Sequence, residues 1–210
     1  MVIRNTFHSG WVLKLILLCL VSSAVNPSVL SQTTEQKFAY PKRQFKHDGK
    51  FGTQYTPEED ATLITLDPLV VVASESGSAL LEIAAVFQYP GKVAQKPKHI
   101  SLGFYGDYAE CKFSPQPKMT ILADTERLDF GWNPKGFRDR KADEEGVAFS
   151  FNEGGGGVKC DEVMFMFISQ SNFLKVVNAN NVEVEIDKLK FKLTESNLEA
   201  LRDLASRMLL

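Results

Sequence analysis

Two cysteines, Cys111 and Cys160, and the carboxylates that follow the second of them, Asp161 and Glu162, are the residues of this chain best equipped for chemistry. The second group belongs to FNEGGGGVKCDE, Phe151 to Glu162, where four glycines precede the cysteine. A thiolate beside a base attacks carbonyls or disulfides, thiols grouped with carboxylate or imidazole bind soft metals, and glycines leading into a helix cradle phosphate. Each reading makes demands on the neighbouring residues.

The phosphate reading needs a strand, then glycines, then a helix, and usually a Lys-Ser or Lys-Thr pair. GVAFSFNE precedes the glycines, but VKCDEVMFMFIS follows them and reads as another strand. Gly154 to Gly157 are therefore expected to connect two strands. A catalytic thiol needs a base, usually histidine, and His47 and His99 are the only histidines beyond the N-terminal leader described below. No GxSxG elbow occurs. A metal site would have to draw on Cys160, Asp161, Glu162 and His99, or on the cluster Asp143, Glu144, Glu145. The spacings CxxC, HExxH and the calcium-loop pattern are all absent, and Arg138, Arg140 and Lys141 neutralise the acid cluster, so no metal ligand and no cofactor are expected. A carboxylate pair of glycosidase type could involve Asp107, Glu110 or Glu82, but nothing in the sequence selects them. Tyr105, Tyr108 and Trp132, near the loops GDYAE and GWNPKGF, would suit a binding surface, although core packing is the stronger reading.

The chain opens MVIRNTFHSGWVLKLILLCLVSSAVNPSVLSQ, with Arg4 and Lys14 ahead of the apolar run Leu15 to Val21 and small residues behind it. This is the pattern of a secretory signal peptide over 1–31, cleaved after Ala24 or Ser31. A lipid anchor at Cys19 is disfavoured by the bulky Leu18 before it. The apolar run falls short of the ~20 residues of a membrane span, and no later stretch supplies one. The leader removes two of the 24 Lys and Arg and none of the 26 Asp and Glu, so 22 basic against 26 acidic residues leave a charge of −4. That balance is a poor match to nucleic acid. Export also leaves Cys111 and Cys160 as an even pair in an oxidising compartment, where a disulfide is the expected state. Closing about 50 residues would destabilise the unfolded chain by ~4 kcal/mol in the chain-entropy treatment.

Residues 32–58 show no helical or strand period and read as a flexible polar leader to the domain. Lysines and Arg43 there alternate with Phe38, Tyr40, Phe45, Phe51 and Tyr55, a composition that allows weak contact with anionic surfaces. From residue 59 onwards one apolar run follows another: LITLDPLVVV, LLEIAAVFQY, HISLGFYG, the hairpin KMTILAD/ERLDFGW, and alternating GVAFSFNE. VMFMFIS, apolar on both faces, reads as a central strand. A short helix is expected at 171–179. A hairpin then turns on Asp187-Lys188, placing Glu185 opposite Lys190, Glu183 opposite Lys192 and Val184 on Phe191. Thr194 caps a closing amphipathic helix with Leu198, Leu201, Leu204, Ala205 and Met208 inward, and the pairs Glu199–Arg202 and Asp203–Arg207 on its wet side.

The tail FLKVVNANNVEVEIDKLKFKLTESNLEALRDLASRM, with KMTILADTERLDF upstream, resembles a pattern found in uncharacterised exported bacterial proteins, over roughly residues 118 to 208. The resemblance implies compartment and architecture and brings no catalytic residues. The expectation is one α+β domain over 59–210, mainly an antiparallel β sheet or sandwich with a short helix and a C-terminal amphipathic helix. The leading functional reading is a secreted or periplasmic, non-enzymatic binding or cell-envelope accessory module. The alternative is a secreted hydrolase or thiol-redox protein using Cys160 or a carboxylate pair.

Overall fold

Branched and aromatic residues dominate the chain after residue 60, and in the computed structural model they form strands. The structure describes residues 44–75, 79–97, 99–108, 110–133, 144–153 and 160–209. The strands are β1 (Phe51–Thr56), β2 (Ala61–Ala73), β3 (Ala79–Pro90), β4 (His99–Tyr108), β5 (Met119–Ala123), β6 (Glu126–Phe130), β7 (Gly146–Glu153) and β8 (Cys160–Ile168). Helix α1 (Gln170–Asn178), β9 (Val182–Ile186), β10 (Leu189–Lys192) and helix α2 (Glu195–Ser206) complete the order. The fold is β-rich α+β: a six-stranded sheet β1-β2-β3-β4-β8-β7 and a four-stranded sheet β10-β9-β5-β6, antiparallel throughout. The expected signal peptide, the glycine run and Asp143 with its basic neighbours lie outside the described residues.

Alternation assigns the faces. On β8, Met164, Met166 and Ile168 point inward to a core shared with Ile121, Val184 and Phe191 of the small sheet, and Phe104 meets Phe191 edge-on at 6.3 Å. Phe165 and Phe167 point the other way and are buried with Ala148, beside Tyr105 and Val163. The strand is thus buried on both faces, as its unbroken apolar run requires. Pro68 sits where β2 bulges between Leu66 and Leu69, a place that needs no N–H from it.

The C-terminal hairpin adopts the expected register, Lys190 opposite Glu185, Phe191 opposite Val184, Lys192 opposite Glu183. Both ion pairs form, at 3.0 and 2.9 Å. Thr194 caps α2 reciprocally with Asn197, and Leu198, Leu201, Leu204, Ala205 and Met208 are all buried. No described helix is long and apolar enough to cross a membrane.

Two expectations need correction. The stretch read as a flexible leader contains β1, which pairs with β2 from Phe51↔Leu66 to Thr56↔Ala61. Ahead of it, His47 Nδ1 accepts the Gly49 N–H at 3.0 Å and Nε2 lies 3.1 Å from Asp203 Oδ2 on α2. Arg207 stacks over Phe51 at 4.1 Å, and the Tyr55 hydroxyl donates to Asp60 at 2.8 Å. Phe51 and Tyr55, two of the aromatics counted towards an anionic-surface contact, are therefore engaged within the fold, while Phe38, Tyr40 and Arg43 lie outside the described residues. Edge strands keep half their residues in water, so β1 has little hydrophobic period of its own and is held by its partner.

Arg202 is the second correction. Expected on the wet side of α2, its side chain is only 12% exposed. It donates to the backbone carbonyls of Val177 and Ala179 at 2.8 and 2.9 Å and pairs with Glu195 and Glu199. The guanidinium fork thereby satisfies carbonyls at the C-terminal end of α1, which no intrahelical donor reaches. Replacing Arg202 by Met keeps the stem and orphans those carbonyls, at an expected cost of ~2 kcal/mol. Thermal circular dichroism should show the melting temperature falling by roughly 5 °C. Arg202→Lys should recover only part of it, because an ammonium cannot span the four acceptors.

Candidate functional site

The register of β4 against β8 sets Tyr108 opposite Cys160 and Gly106 opposite Glu162. With side chains alternating, Tyr108, Cys160 and Glu162 share the face turned to the small sheet. The chain then doubles back beyond Tyr108, and Cys111 is joined to Cys160 across 5.2 Å between their Cα atoms. Glu162 lies directly beneath this return. Its side chain accepts the Lys112 N–H at 3.0 Å from each oxygen, and Oε1 accepts the Phe113 N–H at 2.9 Å.

Glu162 is 1% exposed and is the only buried carboxylate among the described residues. A carboxylate in that position is tolerated because charge-assisted bonds from backbone N–H groups replace its hydration. The Phe113 ring then packs edge-on against Tyr108 at 5.9 Å and Phe149 at 6.4 Å. The Tyr108 ring lies back over Gly106, where an added Cβ would come within 3.1 Å of its Cδ2 and Cζ. Glycine at 106 is thus required by a close approach.

The segment after Phe113 carries the chain from the large sheet to the small one, and a second carboxylate receives it. Asp187, at the β9–β10 turn with φ of 51°, accepts the N–H of Ser114 at 2.8 Å and of Lys118 at 3.1 Å. The same device recurs at Asp124 (φ 52°) in the β5–β6 turn, which accepts from the N–H groups of Asn180 and Asn181. Glu145 accepts from Ser169 N–H and the Asn172 amide at the start of α1. Each carboxylate binds backbone where one element hands over to another. This explains why Asp187 occupies a turn position for which Asp-Lys is not the preferred dipeptide.

Burial raises the Tyr108 hydroxyl to about 12, with the Glu162 charge adding in the same direction. Burial alone takes Tyr105, on the opposite face, to about 12. In both cases the folded chain holds its proton more tightly than the unfolded chain, whose tyrosines titrate near 10. The linked stability is complete below pH 10 and is lost as pH rises towards 12. Ultraviolet titration of the folded protein should show these two phenolates forming last. In Glu162→Gln the Tyr108 step should move down and the Tyr105 step should stay.

Among the described residues the structure brings together Cys111, Cys160 and Glu162, whose ligand atoms lie within 4.8 Å of one another; the candidate side chains of His99 and Asp143 lie outside the described residues. His47 is occupied by Asp203 and Gly49. Asp161, half-buried on the other face, stands opposite Asp107, while Glu82 stands opposite Tyr105 and Glu110 is exposed in the loop. Burial raises Glu82 above the ordinary carboxylate range. Of the aromatics, Tyr108 is core and Tyr105 packs on Phe165 at 6.0 Å. Glu144 and Glu145, the described members of the acid cluster, bind Asn133 and the start of α1. The role of Glu162 has no short-range sequence signal, since its partners are backbone groups 50 and 49 residues away. No family model, no curated protein and no solved structure matches this chain.

Proposed function

We propose that this protein is an exported, non-enzymatic binding or cell-envelope accessory module, secreted or periplasmic, in which the sulfur and carboxylate groups are structural. The observation that carries the reading is the state of the one ligating cluster among the described residues. Its two sulfurs are bonded to each other, and its carboxylate is engaged by the N–H groups of Lys112 and Phe113. A nucleophile needs a free thiolate, and a general base needs a carboxylate within reach of a substrate proton. Neither is presented there. A disulfide also suits the oxidising compartment to which a leader such as 1–31 directs a chain.

One observation favours the thiol-redox alternative: Cys111 is an exposed residue while Cys160 is buried, so an incoming thiolate would reach the bridge from the Cys111 side. Intact-mass analysis of the exported protein with iodoacetamide, without and with prior reduction, separates the two. The module reading predicts an N-terminus after Ala24 or Ser31 and no alkylation until the protein is reduced. Labelling of Cys111 or Cys160 in the unreduced protein would overturn it.

A further inference from the structure

Cys111, Cys160 and Glu162 form more than a staple. A tetrahedral zinc ion holds thiolate sulfurs at ~2.3 Å and carboxylate oxygen at ~2.1 Å, which places the ligands roughly 3.5–3.8 Å from one another. The two sulfurs and a Glu162 oxygen lie within 4.8 Å of one another, so small side-chain rotations reach that spacing once the sulfurs separate. We propose that the reduced chain holds a divalent cation of the zinc class through Cys111 Sγ, Cys160 Sγ and Glu162, and that disulfide formation and metal binding are alternative states of this one site.

Three features support the assignment. Cys111 is exposed in a loop, which gives a metal and a reductant a way in, while Cys160 and Glu162 are fixed on β8. Glu162 is already oriented by the Lys112 and Phe113 N–H groups, the outer support that metal-ligating carboxylates usually have. Oε2 takes only one of those N–H groups and keeps lone-pair capacity towards a metal. Independently, the Tyr108 hydroxyl is buried with no hydrogen-bond partner among the described residues. Tyr108 stands opposite Cys160 in register, and its ring lies over Gly106, the residue opposite Glu162. A thiolate or a metal-bound water in the fourth position would give that hydroxyl an acceptor. Two thiolates and one carboxylate select zinc, cobalt or cadmium over magnesium or calcium.

The conversion balances simply. A dithiol gives two electrons and two protons to the disulfide, the S–S bond breaks, and the reductant leaves as its own disulfide. The cation then displaces the two thiol protons and binds both thiolates. With the disulfide reduced, the metal takes over the cross-link between the Cys111 loop and β8; an incoming disulfide that accepts the two electrons and leaves as its dithiol re-forms the S–S bond and expels the cation.

The test is a titration of the full chain with cobalt(II), before and after anaerobic reduction by a water-soluble phosphine and its removal. The reduced protein should take up one equivalent and develop a thiolate-to-cobalt charge-transfer band, which one equivalent of zinc abolishes. The oxidised protein and the reduced Cys111→Ser variant should not develop it. Glu162→Gln and Glu162→Asp, checked for native circular dichroism, should each bind at least tenfold more weakly. The proposal is overturned if the reduced wild-type protein gives no band, whether it stays folded or unfolds. It is overturned equally if a folded Glu162 variant binds cobalt as tightly as the wild type.

Discussion

Replacing Cys111 by serine and Cys160 by alanine together should lower the melting temperature by roughly 10 °C. The bridge closes a loop with a sequence separation of 49 residues. Opening a loop of that size returns ~4 kcal/mol of conformational freedom to the unfolded chain. For a domain of this length each kcal/mol corresponds to roughly 2–4 °C. The effect should arise largely in the unfolded state, because the Cys111–Phe113 segment has a second attachment at Glu162. Hydrogen exchange checks this: the Lys112 and Phe113 amides of the double variant should stay protected relative to the rest of the 110–118 segment. Loss of that protection would mean that the disulfide, not the carboxylate, holds the return.

Glu162→Ala is the complementary change and acts on the folded state. It leaves the Lys112 and Phe113 N–H groups without their acceptor, one of them in a buried setting, and opens a cavity beneath Tyr108. Orphaned N–H groups cost ~1–3 kcal/mol each, so a loss of ~3 kcal/mol is expected by urea denaturation. Glu162→Gln should lose less, since one amide oxygen still accepts. In the Cys111→Ser, Cys160→Ala background the cost of Glu162→Ala should differ from its cost in the bridged protein by more than ~0.5 kcal/mol, because both attachments restrain the same three residues. Simple additivity would show that they act on separate parts of the chain.

The parts of this fold legible in sequence are those set by side-chain alternation. VEVEIDKLKFKL carries opposite charges on one face and branched or aromatic residues on the other, so only one register satisfies both, and the hairpin adopts it. The stripe on α2 and the two-faced run in β8 were readable for the same reason. Interactions with backbone left no such trace. Arg202 looked like a surface partner of Glu199 because the carbonyls it clamps belong to another helix. Glu162 and Asp187 looked like a residue after a cysteine and an awkward turn, because a backbone N–H is the same in every residue and carries no pattern. The segment before residue 59 has the composition of a leader because β1 takes its order from the strand beside it.

The central claim is that Cys111–Cys160 is a structural staple, supported by a buried carboxylate. Its reduction potential, measured by equilibrating the folded protein in dithiol buffers and counting alkylated cysteines by mass, tests this most directly. Structural disulfides resist reduction to below about −300 mV, whereas catalytic dithiols lie at about −120 to −270 mV. A potential below about −300 mV, rising when Glu162 is replaced by alanine, is the predicted result. A value in the catalytic range, unchanged by that substitution, would contradict it and return Cys111 and Cys160 to the thiol-redox reading.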